Sequence, residues 1–102
     1  MRNLKRQKNR LVAFRRKRGY SQRQVVHLLG HKSHAALSLY EHGLSMPTLV
    51  TALRLEIILR TPVAFLFPAL YESLRTPIRT EEDRLAGLGQ QSLFGDDSSG
   101  LL

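Results

Sequence analysis

Three glycines divide the first half of the chain into short segments. Gly19, Gly30 and Gly43 are separated by 10 and 12 residues, and each closes a run whose apolar residues recur at helical spacing. Glycine in that place is typical of a helix end, because it adopts the left-handed conformation that stops a helix. Helices of this length are unstable alone in water, so they must be held by packing against one another. The sequence therefore predicts a bundle of short helices.

Each of the three segments has a capping residue or an inward stripe that defines one helix. The first helix is predicted within residues 9–19, the second within 20–30 and the third within 33–43. Ser21 and Ser33 are positioned to cap the second and third helices. Apolar side chains three or four positions apart predict the face of each helix that turns inward. These are Leu11 and Phe14 in the first helix, Val25, Val26 and Leu29 in the second, and Leu37 and Tyr40 in the third.

Prolines organise the segment that follows. Pro47 and Thr48 open a fourth helix, "PTLVTALRLEIILR", since proline fits a first helical turn and threonine can cap one. Pro62 ends that helix, because the residue before a proline avoids the helical region. A fifth element is predicted over residues 62–75, with Pro68 as the point where it would break. No strand alternation is found, so the fold class is all-α.

Composition limits the kind of protein this can be. The chain has 102 residues, which suits one small domain. It has no cysteine, so disulfides and thiolate metal sites are excluded. Neither a run of about 18 apolar residues nor the apolar core of a signal peptide is present. A cytoplasmic, nucleoid-associated protein without membrane contact is therefore expected.

The charge is polarised along the chain. Residues 1–75 carry a net charge of +11 and residues 76–102 a net charge of −3. A polyanion is the partner that such a basic half attracts most strongly. The domain organisation predicted from this pattern is a basic N-terminal arm over residues 1–8, a folded domain over 9–75, and a flexible, acidic, Gly- and Ser-rich tail over 76–102 that is largely disordered.

Four motifs, taken in order, resemble the helix-turn-helix domains of the Cro and lambda repressor family, also called the Xre class. "RLVAFRRKRGYSQ" is similar to the first helix and turn of that family, "LSLYEHG" to the end of its recognition helix, and "MPTL" and "LRTPVAFLF" to the segments that follow. The resemblance covers residues 9–67. It implies a compact five-helix lambda repressor-like domain. It also implies a sequence-specific DNA-binding transcriptional regulator of bacterial or phage type, which acts as a repressor or as an activator.

The resemblance also implies roles for particular residues. The third helix would read double-stranded DNA in the major groove through His34, Ala35, Ser38 and Leu39. Phosphate contacts would come from Gln22, Arg23, Lys32, Ser33 and His42, and from Arg2, Lys5 and Arg6 of the basic arm. Arg15 and Glu41 would form a structural pair that ties the first helix to the end of the third. No cofactor and no metal are expected, since Gly30 and Ser33 interrupt the helix that would align His27, His31 and His34.

This chain departs from the family pattern at three places. Between Gly30 and Glu41 it has one residue more than usual, which shifts the expected base contacts by up to one position. Val26 stands where the family prefers alanine at the crossing of the second and third helices. Glu56 stands where the family usually buries an alanine, and such a carboxylate needs a cation nearby. Arg60, four residues later, is the expected partner.

The apolar stripe at the end of the folded domain is larger than core closure requires. Phe65, Leu70, Tyr71 and Leu74 are therefore predicted to form a homodimer interface, and a dimer would read two half-sites about 34 Å apart. Two alternatives stay open. The chain could be an antitoxin whose tail, residues 76–102, binds a protein partner, or a small basic RNA- or ribosome-associated protein. An enzyme is not expected, because no catalytic motif is present.

Overall fold

The computed structural model of the protein describes residues 8–30 and 34–92, and side chains up to residue 88. Six helices follow one another in this part of the chain: α1 (Leu11–Lys17), α2 (Gln22–Leu29), α3 (Ala35–Glu41), α4 (Leu49–Leu59), α5 (Val63–Leu66) and α6 (Pro68–Ser92). Residues 8–30 and 34–92 contain no strand, so the predicted all-α class is confirmed. By its internal contacts the chain divides into two units, one through Tyr71 and one from Glu72.

The predicted glycine stops are found at the ends of the first three helices. Gly19, Gly30 and Gly43 have φ angles of 79°, 78° and 73°. These are left-handed values that cost glycine little and other residues more. Gly30 is the C-cap of α2, and its N–H donates to the carbonyl of His27. The sequence thus predicted where these helices end because the stop is a local backbone property.

The N-terminus of α2 is closed by a reciprocal capping box. The Ser21 hydroxyl accepts a hydrogen bond from the backbone N–H of Gln24 at 3.1 Å, and the Gln24 side chain accepts one from the N–H of Ser21 at 2.8 Å. Two N–H groups that the helix itself cannot satisfy are thereby paired. Helix α3 has no such cap, since His34 is its N-cap residue and makes no side-chain capping bond. Ser33, the predicted cap, lies outside the described residues.

Helix α4 begins as predicted and ends in a less usual way. The Thr48 hydroxyl caps it by accepting from the N–H of Thr51 at 3.2 Å. Arg60 closes it in the left-handed region with φ of 55°, directly before Thr61 and Pro62. The prediction that Arg60 pairs with Glu56 is wrong. Glu56 instead accepts a hydrogen bond from the backbone N–H of Val63 at 3.0 Å, because that group is a free donor at the start of α5.

The core of the first unit lies among helices α1 to α5. Each of these helices contributes at least one side chain that is no more than 2% exposed, including Leu11, Val25, Leu37, Leu55 and Leu66. A buried leucine contributes about 1.5 to 3 kcal/mol to folding. Burial of this kind compensates for the low intrinsic stability of helices only 4 to 11 residues long.

The C-terminal part of the chain differs from the prediction. The fifth element is divided at Pro68 into α5 and α6, and α6 then continues to Ser92 through Pro77. Residues 76–92 are therefore helical, whereas composition predicted a tail over 76–102 that is largely disordered, above all beyond about residue 86. Three exposed ion pairs with i,i+3 spacing stabilise the helix: Arg75 with Glu72, Arg79 with Glu82, and Arg84 with Glu81. Residues 93–102 of the predicted tail lie outside the described residues.

None of the helices described here combines the length and the hydropathy that a membrane-spanning segment needs.

Candidate nucleic-acid interface

Helix α3 turns one side into the core and the other to solvent. Leu37 is 1% exposed and Tyr40 packs against the core, which fixes the inner side of the helix. On the outer side His34, Ala35 and Leu39 are exposed, and Ser38 is half-buried. The four side chains predicted to contact bases therefore lie at the solvent-facing side of this helix.

The C-terminal end of α3 is held by a polar network built around Glu41. Arg15 Nε donates to Glu41 Oε2 at 2.6 Å and Arg15 Nη2 donates to Oε1 at 3.3 Å, so the structural pair implied by the resemblance is formed. Its side chains are only 12% and 4% exposed. Arg15 Nη1 also donates to the carbonyl of Tyr20 at 3.1 Å. Helix α1 is thereby bound both to the start of α2 and to the end of α3.

Gln22 joins the same network from the first turn of α2. Its side-chain Nε2 donates to Glu41 Oε1 at 2.7 Å. A primary amide nitrogen has two N–H groups, so one remains to donate elsewhere. The backbone N–H groups of the first helical turn also have no partner within the helix. This end of α2 therefore offers donors suited to an anion while its side chain is positioned by α3.

Asn9 provides a second link between α1 and α3. Its side-chain amide donates to the carbonyl of Tyr40 at 2.8 Å, and its carbonyl oxygen accepts from the backbone N–H of Leu11 at 3.0 Å. One residue thus binds the first backbone N–H of α1 and a carbonyl in the last turn of α3. The sequence did not indicate a role for Asn9, because its tertiary contact is with Tyr40, 31 positions away.

His42 and Ser38 interact at the exposed end of α3. His42 Nδ1 lies 2.7 Å from the carbonyl oxygen of Ser38 and 3.4 Å from its hydroxyl. A carbonyl oxygen can only accept, so Nδ1 must carry the proton that makes this bond. Nε2 then can donate to a phosphate only when the ring is a cation. The geometry thus defines the protonation state that the predicted phosphate contact of His42 requires.

Comparison with known protein families identifies this arrangement. Residues 11–66, more than half of the chain, match a family model described as helix-turn-helix. The chain belongs to the Xre, or lambda repressor-like, helix-turn-helix family. The resemblance seen in the sequence is therefore confirmed, and α2, the Gly30 turn and α3 are its helix-turn-helix. A search of curated proteins gave no significant match.

Membership defines the general function. Xre proteins are DNA-binding regulators and typically have no enzymatic activity, so this chain is a DNA-binding regulator in that general sense. In the helix-turn-helix the second helix lies in the major groove while the first crosses the backbone. In this structure Glu41 of α3 accepts hydrogen bonds from Arg15 of α1 and from Gln22 of α2, so it links the three helices.

The basic surface of this Xre domain includes Arg16, which belongs to the basic run from Arg15 to Arg18. Arg16 lies on α1 and lines an open depression together with Gln22 and His42. Lys17, the next residue, lies over the Phe14 ring instead, with its Nζ 5.9 Å from the ring centre. The four residues of that run are all basic in the sequence, and the packing of α1 against α2 and α3 places Arg16 on the same surface as Gln22 and His42.

The other predicted residues of the Xre domain are distributed as follows. Arg23 is exposed on α2. Arg2, Lys5, Arg6, Lys32 and Ser33 lie outside the described residues. Among the predicted dimer contacts, Phe65, Tyr71 and Leu74 are 63%, 45% and 56% exposed. Leu70 is half-buried and packs against the core, so it is the least accessible of the four.

Proposed function

We propose that the protein is a sequence-specific transcriptional regulator that reads the major groove with α3 and binds operator DNA as a homodimer. The observation that supports it is the two-sided α3, with Leu37 in the core and His34, Ala35 and Leu39 facing solvent. A helix anchored on one side and accessible on the other is the element that major-groove readers use.

The exposed side chains of α3 determine what they can read. His34 and Ser38 have groups that donate or accept hydrogen bonds at base edges. Ala35 and Leu39 offer only apolar surface, which fits the methyl group of thymine. With two polar and two apolar side chains at this surface, we expect a DNA site of mixed base composition. At least one thymine in it would be contacted through its methyl group.

The contacts to phosphate are proposed to come from three parts of the domain. Gln22 and Arg23 belong to α2, His42 follows α3, and Arg16 extends the same basic surface from α1. Lys32 and Ser33 of the turn and Arg2, Lys5 and Arg6 of the arm complete the set. These contacts hold the protein in register without reading sequence, and they make affinity fall as salt rises.

Selection of bound duplexes from a random pool, using the full chain, tests this proposal. Ser38→Ala and His34→Ala should each lose preference at particular base pairs by about 1 to 3 kcal/mol, or about 5- to 150-fold. Arg16→Ala should instead weaken all duplexes alike and reduce the slope of log affinity against log salt by about 0.9. Lys17→Ala is the matched control, since it removes the same charge from the neighbouring position and should change the slope less.

Three outcomes would contradict the proposal or its homodimer. If Ser38→Ala and His34→Ala weaken every duplex equally, α3 contacts only the backbone and does not read bases. If the chain prefers structured RNA to any duplex DNA in competition, it is an RNA-binding protein. A palindromic selected site with half-sites about 34 Å apart would support the homodimer. A monomer in sedimentation at tens of micromolar, with and without that site, would contradict it.

A further inference from the structure

Helix α6 presents a regular apolar seam. The exposed large apolar residues on this helix are Tyr71, Leu74, Ile78, Leu85 and Leu88, each between 45% and 56% exposed. Their spacings of 3, 4, 7 and 3 place all of them at positions a and d of one heptad repeat. The one seam position occupied by a polar residue is Glu81. No large apolar side chain occurs at any other position between Tyr71 and Leu88.

A seam of this kind on a helix needs a partner helix. Every residue from Tyr71 to Leu88 is exposed. An apolar stripe of period 3.5 on an exposed helix is typical of a helix that pairs with another helix of matching pattern. Five half-exposed side chains offer on the order of 500 Å² of apolar surface, which is below the ~800 Å² per partner of a standard interface. The seam therefore fits a weak, reversible association.

We propose that the partner is α6 of a second copy of this chain, paired antiparallel with Ile78 opposite Glu81. This inference deepens the homodimer of the proposed function and rests on it for its biological role, although the seam is defined without reference to DNA. With this register every a position meets a d position of the other copy: Tyr71 opposite Leu88, Leu74 opposite Leu85, and Ile78 opposite Glu81.

The charges of α6 favour the antiparallel pair over the parallel one. In a parallel pair Glu81 would face Glu81 of the other copy inside the seam, which is a like-charge contact. Arg75 and Glu82 both occupy position e, directly after a d position. In an antiparallel pair the e positions of the two helices face each other, so Arg75 of each copy lies opposite Glu82 of the other. The parallel pair instead brings Arg75 beside Leu70 and Glu82 beside Pro77, so it gains no ion pair between copies.

The intrahelical ion pairs are compatible with this arrangement. Arg75 pairs with Glu72 at 3.5 Å and Glu82 with Arg79 at 3.0 Å, and all four side chains are between 46% and 61% exposed. Exposed pairs of this kind contribute little individually, so Arg75 and Glu82 can turn toward another copy at small cost. Charge complementarity at these flanking positions then determines orientation, as it does in paired helices generally.

A mixing experiment with two single variants of the full chain tests the orientation. Arg75→Glu alone places two glutamates opposite each other, and Glu82→Arg alone places two arginines opposite each other, so each variant should self-associate about tenfold more weakly than the natural chain. An equimolar mixture restores opposite charges at both contacts and should recover association to near the natural level. Sedimentation equilibrium measures all three samples, and circular dichroism verifies that each variant keeps its helix content.

A second pair of variants tests the seam itself. Glu81→Leu replaces the one charged seam position and should tighten association by about tenfold or more, because two additional leucines become buried per dimer. Asp83→Leu, which adds the same side chain outside the seam, is the matched control and should leave association within about twofold. Neither change touches α3, so base preference in the duplex selection should stay the same for both variants.

Distinct results would overturn the inference. If the mixture associates no better than its two components, the antiparallel register is wrong. If Glu81→Leu remains as monomeric as Asp83→Leu, α6 does not pair with α6, and its seam belongs to a different partner. Both results would leave the selection experiment with Ser38 and His34 unaffected, so failure of this inference is distinguishable from failure of the proposed DNA-binding function.

Discussion

Replacement of Glu41 by glutamine is expected to destabilise the first unit by about 3 kcal/mol. The variant keeps the shape of the side chain but removes the charge that faces the Arg15 guanidinium, while both side chains are nearly buried at 4% and 12% exposure. Loss of one partner from a buried ion pair costs about 3 to 5 kcal/mol, because the other charge stays behind without compensation. The lower end applies here, since Arg15 retains its bond to the Tyr20 carbonyl.

Urea denaturation followed by far-ultraviolet circular dichroism measures this loss. A small domain has a total unfolding free energy of about 5 kcal/mol or somewhat more, so the variant should still fold. Its midpoint should fall while the slope against urea stays the same. In a thermal scan, a 3 kcal/mol loss corresponds to a Tm about 12 to 24 °C lower for a domain of this size.

An exposed ion pair on the same chain provides the control. Glu72→Gln removes the same kind of charge from a pair with Arg75 whose side chains are 61% and 46% exposed, and it should cost less than about 0.5 kcal/mol. Replacing Arg15 and Glu41 together by leucine should recover part of the loss, since no buried charge remains. If Glu41→Gln costs no more than Glu72→Gln, the pair does not hold α3 in place and the reasoning from its burial is refuted.

Two further changes test the core and the turn. Leu55→Ala should cost about 2 to 5 kcal/mol because Leu55 is fully buried, whereas Leu53→Ala, two residues away and 46% exposed, should cost less than about 1 kcal/mol by the same urea assay. Equal losses would mean that the assigned inner side of α4 is wrong. Gly30→Ala should cost about 1 to 2 kcal/mol from the left-handed backbone alone, since in the described part of the chain no heavy atom beyond its own chain neighbours lies within 4 Å of the added methyl group. An unchanged urea midpoint for this variant would contradict the left-handed turn.

The local features of the fold could be predicted from the sequence because their causes are local. Gly19 and Gly30 end helices through their own backbone conformation, and Ser21 caps a helix that begins at the next residue. The inner sides of α2 and α3 follow from apolar spacing, as the burial of Val25 and Leu37 shows. Each of these assignments depends on residues within about one or two helical turns.

The polar partners could not be predicted in the same way. Glu56 was expected to pair with Arg60 on its own helix, yet it binds the backbone N–H of Val63, beyond the turn at Pro62. The N–H of Val63 lacks a partner within its own helix because α5 begins there. The spacing of residues along α4 does not reveal this. The continuation of α6 beyond residue 75 was not predicted, for a different reason. The average composition of residues 76–102 is polar, and this average obscured the heptad positions of Ile78, Leu85 and Leu88.

The polar network at Glu41 includes both a structural ion pair and a residue proposed to contact phosphate. Glu41 Oε1 accepts hydrogen bonds from both Arg15 and Gln22, so the carboxylate that fixes the end of α3 also positions a side chain proposed to contact phosphate. A change at Glu41 therefore affects the position of Gln22 and the attachment of α3 to α1 at the same time. For this reason a loss of DNA affinity in Glu41→Gln cannot by itself be assigned to phosphate contact.

Gln22→Ala separates the two effects, because it removes the proposed phosphate donor and leaves both Arg15 bonds to Glu41 in place. If Gln22 acts at phosphate, that variant should lose affinity for every duplex by a similar factor while its urea midpoint falls far less than that of Glu41→Gln.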